Sequence, residues 1–111
     1  MILLAGADDD GLGDALAALG ADVVRVEGIA TKQSLVDAGV GDARALVLTE
    51  MDDASAIPVA KELRPDLRVV TYSRDSLPEF ARGQTDLAVD PALLEPDVVA
   101  EELLDSLAAS D

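Results

Sequence analysis

The stretch that decides the fold is Asp42-Ala-Arg-Ala-Leu-Val-Leu-Thr-Glu-Met-Asp-Asp-Ala-Ser-Ala-Ile-Pro-Val-Ala-Lys-Glu-Leu-Arg-Pro-Asp-Leu-Arg-Val-Val-Thr71. Its first apolar run, Ala45 to Leu48, is short, continuous and uncharged, as a strand buried on both faces requires. Ile57, Ala60 and Leu63 then recur at helical spacing, and Pro65 ends that helix. Pro58 is comfortable only in a first turn, so Ser55 is the expected N-cap and residues 50–54 the irregular lead-in. A second apolar run, Val69 to Thr71, follows after a short connection. Strand, helix and strand in this order form one right-handed crossover and a parallel pair.

The same alternation extends in both directions. Upstream, Ile2 to Ala5 reads as the first strand. Leu12, Leu16 and Leu19 line one face of a helix over about 11–19, with Gly20 at its end. Val23 to Val26 is the second strand. Thr31 caps a helix over 32–38 that Gly39 closes. Downstream, Ser76 and Glu79 have the spacing of a capping box for a short helix ending at Gly83. Leu87 to Val89 is the fifth strand, and Pro96 opens a last helix whose Val99, Leu103 and Leu107 share a face. The expected fold is a single α/β domain, a three-layer, doubly wound, Rossmann-like sheet of five parallel strands in the order 2-1-3-4-5. A ligand site in such a sheet lies at the carboxyl ends of strands one and three, where the strand order reverses.

Composition sets limits on the chemistry. The 111 residues contain no cysteine and no histidine, which removes thiolate and imidazole catalysis and the commonest transition-metal ligands. Phe80 and Tyr72 are the only aromatic residues, so the core is expected to consist of Ala, Val and Leu. Sixteen Asp and seven Glu face six Arg and two Lys, for a formal charge of −15. This Asp-rich, Lys-poor balance is expected of a cytoplasmic protein working at very high salt, where self-repulsion is screened. It argues against nucleic-acid binding. The apolar start, Met1 to Ala5, is too short for a signal peptide or a membrane span. No recognisable catalytic motif occurs, so the reading is of a non-enzymatic protein.

Five stretches carry a family likeness: Ile2-Leu-Leu-Ala-Gly-Ala7, Ser34-Leu-Val-Asp-Ala-Gly-Val40, Asp42 to Thr49, Met51-Asp-Asp-Ala-Ser55 leading into Ala60 to Val70, and Ser73-Arg-Asp75, followed by Leu87-Ala-Val-Asp-Pro91. In these the chain resembles the N-terminal nucleotide-binding (RCK or TrkA-N) domain of Trk-type potassium-uptake regulators. The resemblance implies a dinucleotide site lined by Gly6, Ala7, Asp8, Gly11, Gly28, Thr31, Thr49, Asp52, Asp53 and Arg74. It also implies a transporter or regulator partner, and a domain shortened by about one strand and one helix between Gly20 and Val23. The glycine loop of that family reads Gly6-Ala-Asp-Asp-Asp-Gly11 here, with Asp8 where backbone must approach a pyrophosphate. Ile29 stands where the family has an acid facing adenine. The implied function is therefore a regulatory or interaction module with a degenerate dinucleotide site and no assigned cofactor, the alternative being a remodelled nucleotide sensor for NAD or ATP.

Asp8, Asp9 and Asp10 also resemble the acidic group that holds Mg²⁺ in phosphorelay receiver domains, which share the strand order. A receiver has an aspartate at the end of strand three, where this chain has Thr49-Glu50, and a lysine at the end of strand five, where it has Asp90-Pro91. Glu50, Asp52 and Asp53 form a second acidic group, expected as favourable acids at a helix start. Arg74 is expected to pair with one of its acidic neighbours. Val98 and Leu104, with Leu93 and Leu94, mark a surface for a homodimer at molar salt.

Overall fold

The computed structural model describes residues 1–109. Five parallel strands, β1 (Ile2–Ala5), β2 (Val23–Val26), β3 (Ala45–Leu48), β4 (Arg68–Tyr72) and β5 (Leu87–Val89), pair in the order β2-β1-β3-β4-β5. The helices between and after them are α1 (Leu12–Ala18), α2 (Lys32–Ala38), α3 (Ala56–Leu63), α4 (Glu79–Arg82) and α5 (Pro96–Ala109). The sheet order and the doubly wound architecture are those expected from the sequence.

Alternation along the central strands divides the core into two layers. Ile2, Leu4, Ala45, Val47, Val70, Tyr72 and Val89 face α1 and α5, where they meet Leu12, Leu16, Val99, Leu103 and Leu107. Leu3, Ala5, Leu46, Leu48 and Val69 face the other way, against Leu35, Ile57, Ala60 and Ala81 of α2, α3 and α4. Every residue of β1 and β3 is buried. Each fully buried Leu or Val stabilises the fold by roughly 1.5–3 kcal/mol before entropy is counted. Tyr72 is the one aromatic in this core, since Phe80 is 61% exposed on α4.

Local chemistry sets the helix ends. Thr31 Oγ1 accepts from the Ser34 amide at 3.2 Å, and Ser34 Oγ accepts from the Thr31 amide at 2.7 Å, a reciprocal cap. Pro58 lies in the first turn of α3, where its missing N–H has no helical partner to lose. Ser55 precedes that helix without a side-chain cap, and a 3₁₀ turn over Met51–Asp53 leads into it.

Two local expectations are corrected. The capping box from Ser76 to Glu79 does not form, and α4 begins after Pro78. A box would require Leu77 to be helical, a conformation that the following proline ring disfavours. Leu104 is partly buried against the α1/α5 layer, whereas Val98, at 41%, stays exposed.

Between Gly20 and Val23 the chain passes from α1 to β2 with no intervening element. Gly20, at φ +91, turns the chain out of α1, the Ala21 amide returns to the Leu16 carbonyl, and the Asp22 carbonyl already accepts from Ile2. This is a complete helix-to-strand connection. No helix among the described residues is long and apolar enough to cross a membrane.

Candidate functional site

The register aligns Ala5 of β1 with Val26 of β2 and Leu48 of β3, and Tyr72 of β4 with Val89 of β5. The loops leaving these carboxyl ends therefore form one edge. It carries Gly6, Ala7, Asp8 and Gly11 after β1, Gly28 and Thr31 after β2, Thr49, Asp52 and Asp53 after β3, and Arg74 after β4.

At this edge many of the polar groups are occupied by one another. Both oxygens of Asp8 accept from the Gly13 amide, at 3.1 and 3.2 Å, inside the first turn of α1. Arg25 of β2 donates to the same carboxylate at 3.3 Å. The carboxylate is thus a helix-terminal acceptor, satisfying an amide that the helix leaves free. Gly13 permits this approach, because a β-carbon there would lie 2.8 Å from Asp8 Oδ2.

Arg74 grips Asp10 with both terminal guanidinium nitrogens, Nη1 at 3.2 Å and Nη2 at 3.1 Å. This hydrogen-bonded contact with Asp10 raises the guanidinium's pKa further above its already high value. The pair bridges the loops after β1 and β4, on either side of β3. Tyr72 lies beneath it with its hydroxyl donating to the Leu94 carbonyl at 2.8 Å. Burial, and then the charge of Asp10, raise the phenol's pKa above its ordinary 10.0.

Thr49, next after β3, turns its hydroxyl to the carbonyl oxygens of Ala7 and Ala5. Ala7 in turn donates its amide to Glu50 Oε2 at 3.3 Å. Asp53 is 6% exposed and accepts from the Ala30 amide at 3.2 Å, which ties the β3 loop to the β2 loop. Thr31 is spent on capping α2. Gly28 adopts φ +67 in open space, while Asp9 and Asp52 are exposed. After β5, Asp90 accepts from the Ala92 amide at 2.8 Å and shapes its own loop.

The ten residues proposed for a dinucleotide thus share an edge, where Asp8, Thr31, Thr49, Asp53 and Arg74 are hydrogen-bonded to neighbouring protein groups. Asp53 turns to Ala30 instead of joining a second carboxylate group. Among the described residues no three of Asp, Glu, His or Cys are placed to hold a metal ion. A hollow of about 200 Å³ opens at this edge beside Ser73, Arg74 and Asp90, and hollows of about 380 Å³ lie beside β2 and α2 at Arg25, Glu27 and Asp37 and at the amino edge by Ile2, Arg44 and Leu104. Sequence reasoning missed Arg25 as the partner of Asp8. A lone cation on β2, in register with Leu4 on the α1 face, was the available signal.

Three comparisons bear on identity. A family model described as a family of unknown function (DUF7126) matches residues 2–103. No curated protein matches the sequence. Among solved structures, an orphan response regulator of Helicobacter pylori superposes with a TM-score of 0.73 at 15% identity, covering 96% of each chain. A pilus assembly-related protein from Burkholderia pseudomallei gives 0.70 at 21% identity, over 96% of this chain and 88% of that one. NtrX from Brucella abortus, solved in complex with ADP, gives 0.71 at 21% identity, over 98% of this chain but 27% of its own length. These likenesses establish the fold.

They also overturn the resemblance to potassium-uptake regulators. The matching family is a different one, and the structural likeness runs to response regulators. The stretches that suggested TrkA-N are buried β1 and β3, α2 and the β3-to-β4 crossover, whose apolar pattern any doubly wound sheet requires. The implied transporter partner falls with that resemblance.

Proposed function

Since the chain belongs to DUF7126, a family described only by its unknown function, we propose from the site itself that it is a non-enzymatic, receiver-type regulatory module that acts through protein contacts and not through phosphoryl transfer. The observation that carries this reading is the state of Thr49. It occupies the place where a receiver has its aspartate, and its hydroxyl is turned into the carbonyl groups of the β1 loop.

A carboxylate at that place can take a phosphoryl group as a mixed anhydride. A threonine hydroxyl needs a base to become a nucleophile, and this one is turned to two backbone carbonyl oxygens. The other parts agree. Asp90 stands in place of the lysine, so a transferred phosphoryl group would meet negative charge. Asp8 and Asp10, two of the three acids that would hold Mg²⁺, are bound to Arg25 and Arg74. The response-regulator neighbours support a regulatory role, and the paired state of Asp8, Asp10 and Thr49 supports one without chemistry.

Titration with MgCl₂, NADH and ATP at molar KCl, followed by amide chemical shifts, tests the reading. The amides of residues 6–11 and 49–53 are expected not to move. Saturable shifts confined to these loops would refute it and would favour a nucleotide or cation sensor.

A further inference from the structure

The surface formed by β5, its following loop and α5 combines exposed apolar side chains with predominantly negative charge. Leu93 is 79% exposed, Leu94 and Val98 41% each, and Leu87 37%. No Lys or Arg occurs after Arg82 in the sequence, whereas Asp86, Asp90, Glu95, Asp97, Glu101, Glu102 and Asp105 all fall between Leu87's neighbour and the end of α5. Among these, Asp86, Glu95, Asp97, Glu101, Glu102 and Asp105 are exposed, Asp86 being paired with Lys61 at 3.1 Å.

The apolar residues sit on β5, on the loop after it and on the first turn of α5. Leu93 and Leu94 are held in one turn, both amides directed to the Asp90 carbonyl. Val98 and Glu102 are one helical turn apart on the same row of α5. Glu102 and Leu87 line a common groove of about 190 Å³ between α5 and the sheet edge, floored by Val70 and Leu103, where Arg68 is the lone cation. The row thus runs from the β5–α5 loop to the open edge of the sheet.

We propose that this face docks a basic, amphipathic partner segment, its apolar side chains on Leu93, Leu94, Val98 and Leu87 and its Lys or Arg side chains on the surrounding acids. Charge complementarity selects this occupant. A second copy docked by two-fold symmetry would set the same face against itself, acid on acid. A partner that is apolar alone would leave the acidic rim without counter-charge. The inference rests on the interaction-module reading and adds the chemistry of the partner to it.

The test uses a fluorescein-labelled amphipathic helical peptide of Leu and Lys, titrated with the full chain in 1 M KCl and read by fluorescence anisotropy. At that salt the screening length is about 3 Å, so long-range attraction to an acidic body is removed and contact pairs remain. The Leu/Lys peptide is expected to bind saturably, and a Leu/Glu peptide of the same pattern not to bind. Leu93→Ser with Val98→Ser, both at exposed positions, should weaken binding at least about tenfold, a loss of ~1.4 kcal/mol. Ile29→Ser, exposed on the β2 loop, should change it less than twofold. Absence of binding, or equal loss in the Ile29 variant, overturns the proposal. So does a doubled mass by light scattering that Val98→Ser abolishes, without peptide binding. Mg²⁺ binding or phosphorylation at the β1–β3 edge would instead sink the module reading, and the peptide titration is blind to it.

Discussion

A β-carbon on Gly6 would stand 2.5 Å from the hydroxyl oxygen of Thr49. Gly6 also has φ +100, a left-handed backbone that side chains resist. Gly20, at φ +91, has the same backbone but open space around it. Gly6→Ala is therefore expected to lose about 2–4 kcal/mol, about 1–2 from the backbone and the rest from displacing Thr49. Gly20→Ala should lose only the backbone part. Urea unfolding of both variants at one salt concentration gives the comparison, and equal losses would mean that Thr49 is not packed on the β1 loop as described.

Asp8 is expected to act as a helix cap and not as a ligand. Asp8→Ala should destabilise by about 1 kcal/mol, the usual cost of losing such an acceptor. Arg25→Ala should cost less, within the ~0–1 kcal/mol of an exposed ion pair, because the guanidinium side chain is 53% exposed. Denaturation midpoints of the two variants decide between the roles. A stabilising Asp8→Ala would identify the carboxylate as strained by repulsion and kept for binding.

How much of this was legible in the sequence follows from what each feature depends on. Sheet order came from the uncharged runs of β1 and β3 and the helical spacing between them, which are local and periodic. The reciprocal cap of Thr31 likewise needs neighbours only three residues away. The pairings at the functional edge link residues far apart, Asp8 to Arg25, Asp10 to Arg74 and Asp53 to Ala30, and no spacing rule announces them. The carboxyl edge was therefore legible from the strand order, while the pairings of Asp8 and Asp53 across it were not foreseen. The family likeness misled for the opposite reason. Its apolar stretches report the architecture, and the residues that would carry the function, such as Asp8 and Ile29, were those that departed from it.

Salt should stabilise the fold steeply. With 23 acids against 8 basic residues, repulsion persists in dilute buffer and is screened at molar KCl. The thermal midpoint is expected to rise continuously across that range. A midpoint independent of KCl would show that the acids are not a salt adaptation.

Tyr72, the sole tyrosine, allows a direct titration. Burial and Asp10 raise its pKa above 10.0, so the fold favours the neutral phenol. That contribution to stability is complete below pH 10 and is lost as pH rises through the raised folded value. Phenolate absorbance should appear at higher pH in the folded chain than in urea. Coincident titrations would place the hydroxyl in water, away from Leu94.

The central claim is that the β1–β3 edge is closed to phosphoryl chemistry because Thr49 and the paired Asp8 and Asp10 occupy it. The most direct measurement is the intact mass of the chain after incubation with acetyl phosphate and MgCl₂ at molar KCl. The account predicts an unchanged mass. Addition of one phosphoryl group, mapped to Thr49 or Glu50, would contradict it.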